Sequence, residues 1–219
     1  DSDASIYIQA QEGKNTLSEV SLILTYDKRD SVVIPTEGYV VRLKNDVAGL
    51  GGSARHSRNV LGGGIYFPVL DQWVLSFSAD TGYIVGIGKD VQLLDRFFVG
   101  GNDLRGFADS GIGPRDGSTK DALGGEWMYS ASAEVTFPVP FFPPELGFKG
   151  RFFTDWGSLG KVTPSGAGID DTGSLRASVG GGITWVSPFG PIGIDVGFPI
   201  LKEDFDEIEN LRINFGTRF

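Results

Sequence analysis

The sequence repeats with a period of two, and it does so to its last residue. Leu211, Ile213, Phe215, Thr217 and Phe219 share one face of an extended segment, while Arg212, Asn214, Gly216 and Arg218 share the other. Ile192, Ile194, Val196, Phe198 and Ile200 alternate with Gly193, Asp195, Gly197 and Pro199. The same pattern runs through 175–185, 127–137 and 73–83, and more weakly through 18–27, 39–48, 58–67 and 147–156. Successive side chains point to opposite sides only in a strand, so the pattern demands β-structure and disfavours helix. With Ile6 to Ala10 as a short first strand, about ten strands result, each near the ~9 to 11 residues that cross a bilayer at a tilt.

Composition then removes whole classes of function. The 219 residues carry Lys+Arg 19 against Asp+Glu 28, a net charge of -9, which opposes the phosphate neutralisation that drives nucleic-acid binding. There is no Cys and one His, His56, so disulfide scaffolds, thiolate metal sites, Cys catalysis and any site needing two imidazoles are out. No stretch approaches the ~18 uninterrupted apolar residues of a spanning helix. The first residues, Asp1-Ser2-Asp3, lack the basic and apolar regions of a secretory signal.

Alternation alone leaves two barrels open, one soluble with its apolar face inside and one in a membrane with that face outside. Connectors decide between them. Those around Lys28 to Gly38, Pro68 to Gln72, Pro138 to Leu146 and Ser187 to Pro191 are short or Pro-containing. Those around Gly49 to His56, Gly86 to Gly125, Gly157 to Ser174 and Leu201 to Glu209 are generally longer and rich in Gly or acidic residues. Long loops at one rim and short turns at the other are the pattern of outer-membrane barrels. Aromatic residues sort likewise. Tyr26, Tyr39, Phe67, Trp73, Phe137, Phe148, Trp185 and Phe219 lie toward the short-turn ends, and Tyr83, Trp127, Tyr129 and Trp156 toward the long-loop ends. Two girdles flanking an apolar band fit the two lipid interfaces. The expectation is an all-β, antiparallel transmembrane β-barrel over 1–219 in a bacterial outer membrane, with both termini on the periplasmic, short-turn side.

The longest connector holds the most specific motif. Residues 96–116 read RFFVGGNDLRGFADSGIGPRD, with Leu104-Arg105-Gly106-Phe107 following the lead-in Phe97 to Gly101. Further along come Ser132-Ala133-Glu134 before a Pro-rich turn, Phe152 to Gly157, the run Trp185 to Ile192, and the aromatic carboxy-terminal Phe219. In this order, spaced by strands, these elements resemble the BamA-type family, the central subunit of the bacterial β-barrel assembly machinery. The resemblance covers essentially the whole chain and corresponds to the carboxy-terminal part of that family's sixteen-stranded barrel, without its polypeptide-binding (POTRA) domains and first strands. It implies a long extracellular loop folded into the lumen, where Arg105 meets Glu134 and Asp155. Alternation independently points both carboxylates inward. It also implies a weak seam at the last strand and a terminal signal, carried here by Leu211, Ile213, Phe215, Gly216 and Phe219.

The implied function is the folding and insertion of other outer-membrane barrels. The implied partners are lipid, unfolded client proteins and the machinery's lipoproteins, with a second copy as one way to complete the barrel. A passive pore or a related polypeptide transporter is the alternative, and a soluble β-barrel binding module the remoter one. Gly62-Gly63-Gly64 and Gly180-Gly181-Gly182 lack the Lys-Ser/Thr of a phosphate loop and are read as allowing curvature or close approach of the internal loop. Asp170-Asp171 and the acidic run Glu203 to Glu207 lack calcium-loop spacing and are read as solvated outer loops. No acid, base and nucleophile constellation emerges. No enzymatic activity, metal or cofactor is expected.

Overall fold

A computed structural model describes residues 4–11, 13, 16–49, 51–140, 142–163, 165–166, 168–187 and 190–215. The long strands are β1 (Glu19–Asp27), β2 (Gly38–Ala48), β3 (His56–Leu70), β4 (Trp73–Gly86), β7 (Trp127–Pro138), β8 (Phe148–Gly160), β10 (Arg176–Ser187), β11 (Gly190–Leu201) and the shorter β13 (Leu211–Phe215). They form one nine-stranded antiparallel meander in which β1 and β13 are the edges. Two-residue strands lie in the long loops: β5 (Gly106–Phe107), β6 (Arg115–Asp116), β9 (Ile169–Asp170) and β12 (Ile208–Glu209), with β5 paired to β12 and β6 to β9.

The expected first strand at Ile6 to Ala10 is instead a short helix, α1 (Ile6–Gln9). Ser5 decides this locally. Its hydroxyl caps the helix by accepting from the Tyr7 amide at 3.2 Å, and it donates to Asp116 Oδ2 at 2.6 Å. An N-cap satisfies an orphan helical amide, and here it outweighs a five-residue alternation too short to pair. With one strand fewer, the chain enters the sheet at the long-loop rim, where Glu19 pairs with Ala48. It leaves toward the short-turn rim, where Phe215 pairs with Ile192. The first and last strands of the described sheet thus open at opposite rims, whereas the expectation placed both chain ends at the short-turn rim.

The apolar face is the exposed one. Leu22, Leu24, Leu43, Leu61, Ile65, Phe77, Phe152, Ile183, Ile194, Phe198, Leu211 and Ile213 all project outward, Phe152 with 64% of its surface free. Asp46, Ser130, Asp155, Ser178, Asp195 and Asn214, on the opposite parity, are buried. A soluble barrel requires the reverse, and an apolar surface of this extent is not stable in water. Aromatic rings cross the short-turn rim from strand to strand, with centroids 5.1 Å apart for Trp73 and Phe137 and 6.0 Å for Phe148 and Trp185. At the other rim Trp127 stacks on Tyr129. Among the described residues no helix is long and apolar enough to cross a membrane, so the strands do the crossing.

The hydrophobic core belongs to the long loop rather than to the sheet alone. Val91, Phe97, Val99, Leu104, Phe107 and Ile112 of the β4–β7 connector pack with Ile84 of β4 and Leu159 of β8. Backbone bridges join Phe97 to Gly125 and Val99 to Ile112. The connector is thus a folded plug against the polar face of the sheet, consistent with the rule that long loops in compact proteins are ordered by their own packing.

Candidate functional site

Four neighbouring strands supply one row of inward positions beneath the loop. Glu134 of β7 stands beside Phe153 of β8, Phe153 beside Gly180 of β10, and Gly180 beside Gly197 of β11. The row reads charge, ring, bare, bare. A Cβ on Gly180 would overlap the Phe153 ring, so glycine lets that ring lie against the strand. A Cβ on Gly197 would sit 2.7 Å from the Gly106 amide nitrogen. The loop backbone therefore rests on β11 at a distance only glycine permits. Gly106 itself has φ +95, a conformation that L side chains rarely adopt.

On this shelf lies Arg105, 1% exposed. Its guanidinium carbon stands 3.3 Å from the centroid of the Phe153 ring. Nε donates to Asp155 Oδ2 and Nη2 to Asp155 Oδ1, each at 2.8 Å, a bidentate pair. Nη1 donates to Glu134 Oε2 at 2.6 Å, and Nη2 also donates to Ser132 Oγ at 3.1 Å. The Arg105 amide adds a bond to Asp155 Oδ2 at 3.1 Å, and Ser132 Oγ donates to Oδ1 at 2.6 Å. Asp155 is fully buried and accepts these bonds at both oxygens. Cation over ring, planar fork on carboxylate and a second carboxylate at the free nitrogen suit arginine and no other side chain.

The structure thus brings Leu104, Arg105, Gly106, Phe107, Glu134 and Asp155 together, with Leu104 and Phe107 fully buried in the loop core. Phe153 and Ser132 complete the site, and residue type alone did not single them out. Their parity was the available signal, because both fall on the inward series with Glu134 and Asp155. Of the terminal-strand residues, Leu211, Ile213 and Phe215 lie on the outer face of β13. Gly216 and Phe219 lie outside the described residues.

From the motif the contact runs on to that terminal strand. Gly106 and Phe107 pair with Glu209 and Ile208. The Ala108 amide donates to the Glu207 carbonyl at 2.9 Å, and the Glu207 amide to the Gly111 carbonyl at 2.9 Å. One residue beyond β12, Asn210 bonds Gly197 through both its carbonyl and its side-chain amide. Arg212 of β13 reaches Asp109 of the long loop at 3.0 Å and also contacts Glu209.

The acidic run is correspondingly not a merely solvated loop. Asp206 is paired with Arg176 at 3.0 Å with both side chains fully buried, and Glu207 meets Arg115 at 2.8 Å. Arg176 lies on the inward series of β10 with Ser178, whereas Asp206 comes from a loop with no periodicity to read. Arg96, also buried, donates to the carbonyls of Val91, Leu123 and Thr163, and burial pulls its pKa below the ordinary guanidinium value. The lone His56 has its ring nitrogens 3.3 Å from Glu19 Oε2 and 3.3 Å from Asp95 Oδ2.

An antiparallel meander with a lipid-type outer face, aromatic rims and a loop plugged against a polar inner face defines a wall of an outer-membrane β-barrel protein. Residues 1–219 match the Omp85 superfamily domain, and the chain belongs to that family. It is 37% identical to the outer membrane protein assembly factor BamA of Neorickettsia risticii (strain Illinois), over 99% of this chain and 29% of that protein. With the sorting and assembly machinery component 50 homolog of Mus musculus it shares 31% identity over 71% of this chain and 34% of that protein. The crystal structure of BamA from Haemophilus ducreyi lacking POTRA domains 1-3 superposes with a TM-score of 0.80 at 25% identity, covering 91% of this chain and 42% of that one. The chain spans less than a third of the length of the bacterial relative and about a third of the murine one.

Proposed function

We propose that the chain forms the carboxy-terminal wall of an outer-membrane assembly barrel that folds and inserts client β-barrel proteins. The observation that carries this reading is the unbroken path from Arg105, through the β5–β12 pairing, to the edge strand β13. An edge strand presents unpaired N–H and C=O groups on which an incoming strand can add. A loop locked to the inner face and hydrogen-bonded to the approach of that strand holds the template in place. The family relatives named as assembly factors support the same reading. The work is noncatalytic in the chemical sense, since the arrangement templates hydrogen bonds and breaks none of the client's covalent ones. POTRA domains and further strands upstream, unfolded clients and the machinery's lipoproteins belong to this proposal.

The competing passive pore is disfavoured by the loop core packed on the inner face, which occupies the space a channel would need. The full protein reconstituted in liposomes, given an unfolded outer-membrane barrel as client, should speed its conversion to the protease-resistant form. Arg105→Ala should abolish most of that acceleration. Steady single-channel conductance with no effect on client folding would replace this reading with the pore.

A further inference from the structure

The edge strand β13 is short. Its described pairing with β11 runs over five residues, Leu211 to Phe215. Its outer side chains, Leu211, Ile213 and Phe215, are exposed on the apolar surface. Inward it presents Arg212 and Asn214, and Asn214 is the deeper, with 8% of its surface free. Asn214 Nδ2 donates to Asp195 Oδ2 of β11 at 2.7 Å, while its own Oδ1 has no hydrogen-bond partner among the described residues. One charge-assisted bond therefore orients this side chain.

Asp195, 1% exposed, is held from the opposite side. Arg151 of β8 donates through Nε to Oδ1 at 2.6 Å and through Nη2 to Oδ2 at 2.7 Å. Arg151 stands two strands away, with β10 between. It reaches across because its neighbour in β10 is Gly182, which also pairs with Asp195. A Cβ on Gly182 would overlap Asp195 Oδ1, and one on Gly193 would lie 2.5 Å from Arg151 Nη2. Two bare positions are thus used to place one carboxylate between a distant arginine and the edge strand. An ion pair serving the sheet alone would need no Asn214 bond.

We propose that Asp195 is a positioning residue for client assembly: its carboxylate, fixed in place by Arg151, holds Asn214 and so latches the edge strand on which a client strand is added. This rests on the assembly reading above. Opening the edge then requires breaking this bond together with the Arg212 contact to Asp109 and the described five-residue ladder, which makes the latch strong enough to help set register and weak enough to release.

The test uses the full protein in liposomes, with amide hydrogen exchange and client-folding rate read on the same preparation. Asp195→Ala should raise exchange of those amides within 211–215 that bond β11 about tenfold or more, as expected for losing one hydrogen bond to a charged group. Exchange at Gly106 to Ala108 should stay as in the wild type, because Arg105 contacts neither Asp195 nor Arg151 in any of its hydrogen bonds. Asp195→Asn, which keeps an acceptor for Asn214, should give a smaller rise. Asn214→Ala leaves the Arg151–Asp195 pair intact, and it should reproduce the exchange rise even if Asp195→Ala fails to fold. Client folding should slow in the same order. Wild-type exchange at 211–215 in Asn214→Ala overturns the latch, and raised exchange with an unchanged client rate overturns its positioning role. A wild-type protein that folds no client refutes the assembly reading instead, and the exchange comparison still decides the latch.

Discussion

Arg105 places a fixed positive charge where water is excluded, and such a charge is stable only with full pairing. A lysine there would keep the charge but lose the fork on Asp155 and the flat stack over Phe153. Arg105→Ala leaves the Asp155 carboxylate buried without its cation, at a cost of about 3 to 5 kcal/mol, and Arg105→Lys should cost roughly half that. Limited proteolysis of the 87–126 loop should therefore accelerate in the order wild type, Lys, Ala. Equal rates in all three would show that the loop is held by its apolar core alone. In an Arg105→Ala, Asp155→Asn double variant the two losses should sum to less than their separate values, since one interaction is removed twice. At this scale the sequence was informative wherever parity sufficed. It placed Glu134 and Asp155 inward, while Arg105 as their partner was implied by the family resemblance of the loop motif. It could not show that Phe153 lies directly beside Glu134 across a turn, because register between strands depends on turn geometry that alternation does not encode.

Elements meet through close backbone approaches, and Gly197 is where the loop backbone rests on β11. Gly197→Val would drive a branched side chain into the Gly106 amide, 2.7 Å from where its Cβ must stand. Because the Ala108 amide donates to the Glu207 carbonyl and the Glu207 amide to the Gly111 carbonyl beside the β5–β12 pairing, amide exchange at Ala108 and Glu207 should rise together in this variant. A rise at one without the other would mean the two strands are anchored separately. A second joint links α1 to the loop. The hydroxyls of Ser118 and Ser5 hold the Asp116 carboxyl well below the usual carboxylate range. A carboxylate with a lowered folded pKa adds stability that is complete above the ordinary value near ~4 and is lost as pH falls through the lowered one. Cleavage within the segment before β1 should stay flat from neutral pH down to about 4 and rise below it, and Asp116→Asn should remove that dependence. The helix itself shows why 6–10 misled. Five alternating residues carry little periodic signal, whereas one capping serine tied to a loop 111 residues away outweighs it. No local pattern reports such a partner.

At the scale of the molecule the governing fact is that the sheet has two edges. All nine residues of β1 are exposed, including both Leu22 on the outer face and Ile23 on the inner. Beyond β13 nothing in the described sheet pairs its outer side. In hydrocarbon each unpaired backbone group costs several kcal/mol, so neither edge can face lipid. Covering them takes more strands from the same polypeptide, a second copy, or β1 pairing directly with β13. These alternatives differ in mass and in exchange. Residues 1–219 expressed alone and extracted in detergent should run as a dimer or larger assembly by light scattering, with the β1 amides protected at high concentration and exposed on dilution. A polypeptide carrying further strands before β1 should run as one copy, with β1 protected at every concentration. A monomer of 1–219 with concentration-independent protection of both edges would mean that nine strands close on themselves. The inner face would then have to hold its loop within a ring of nine strands.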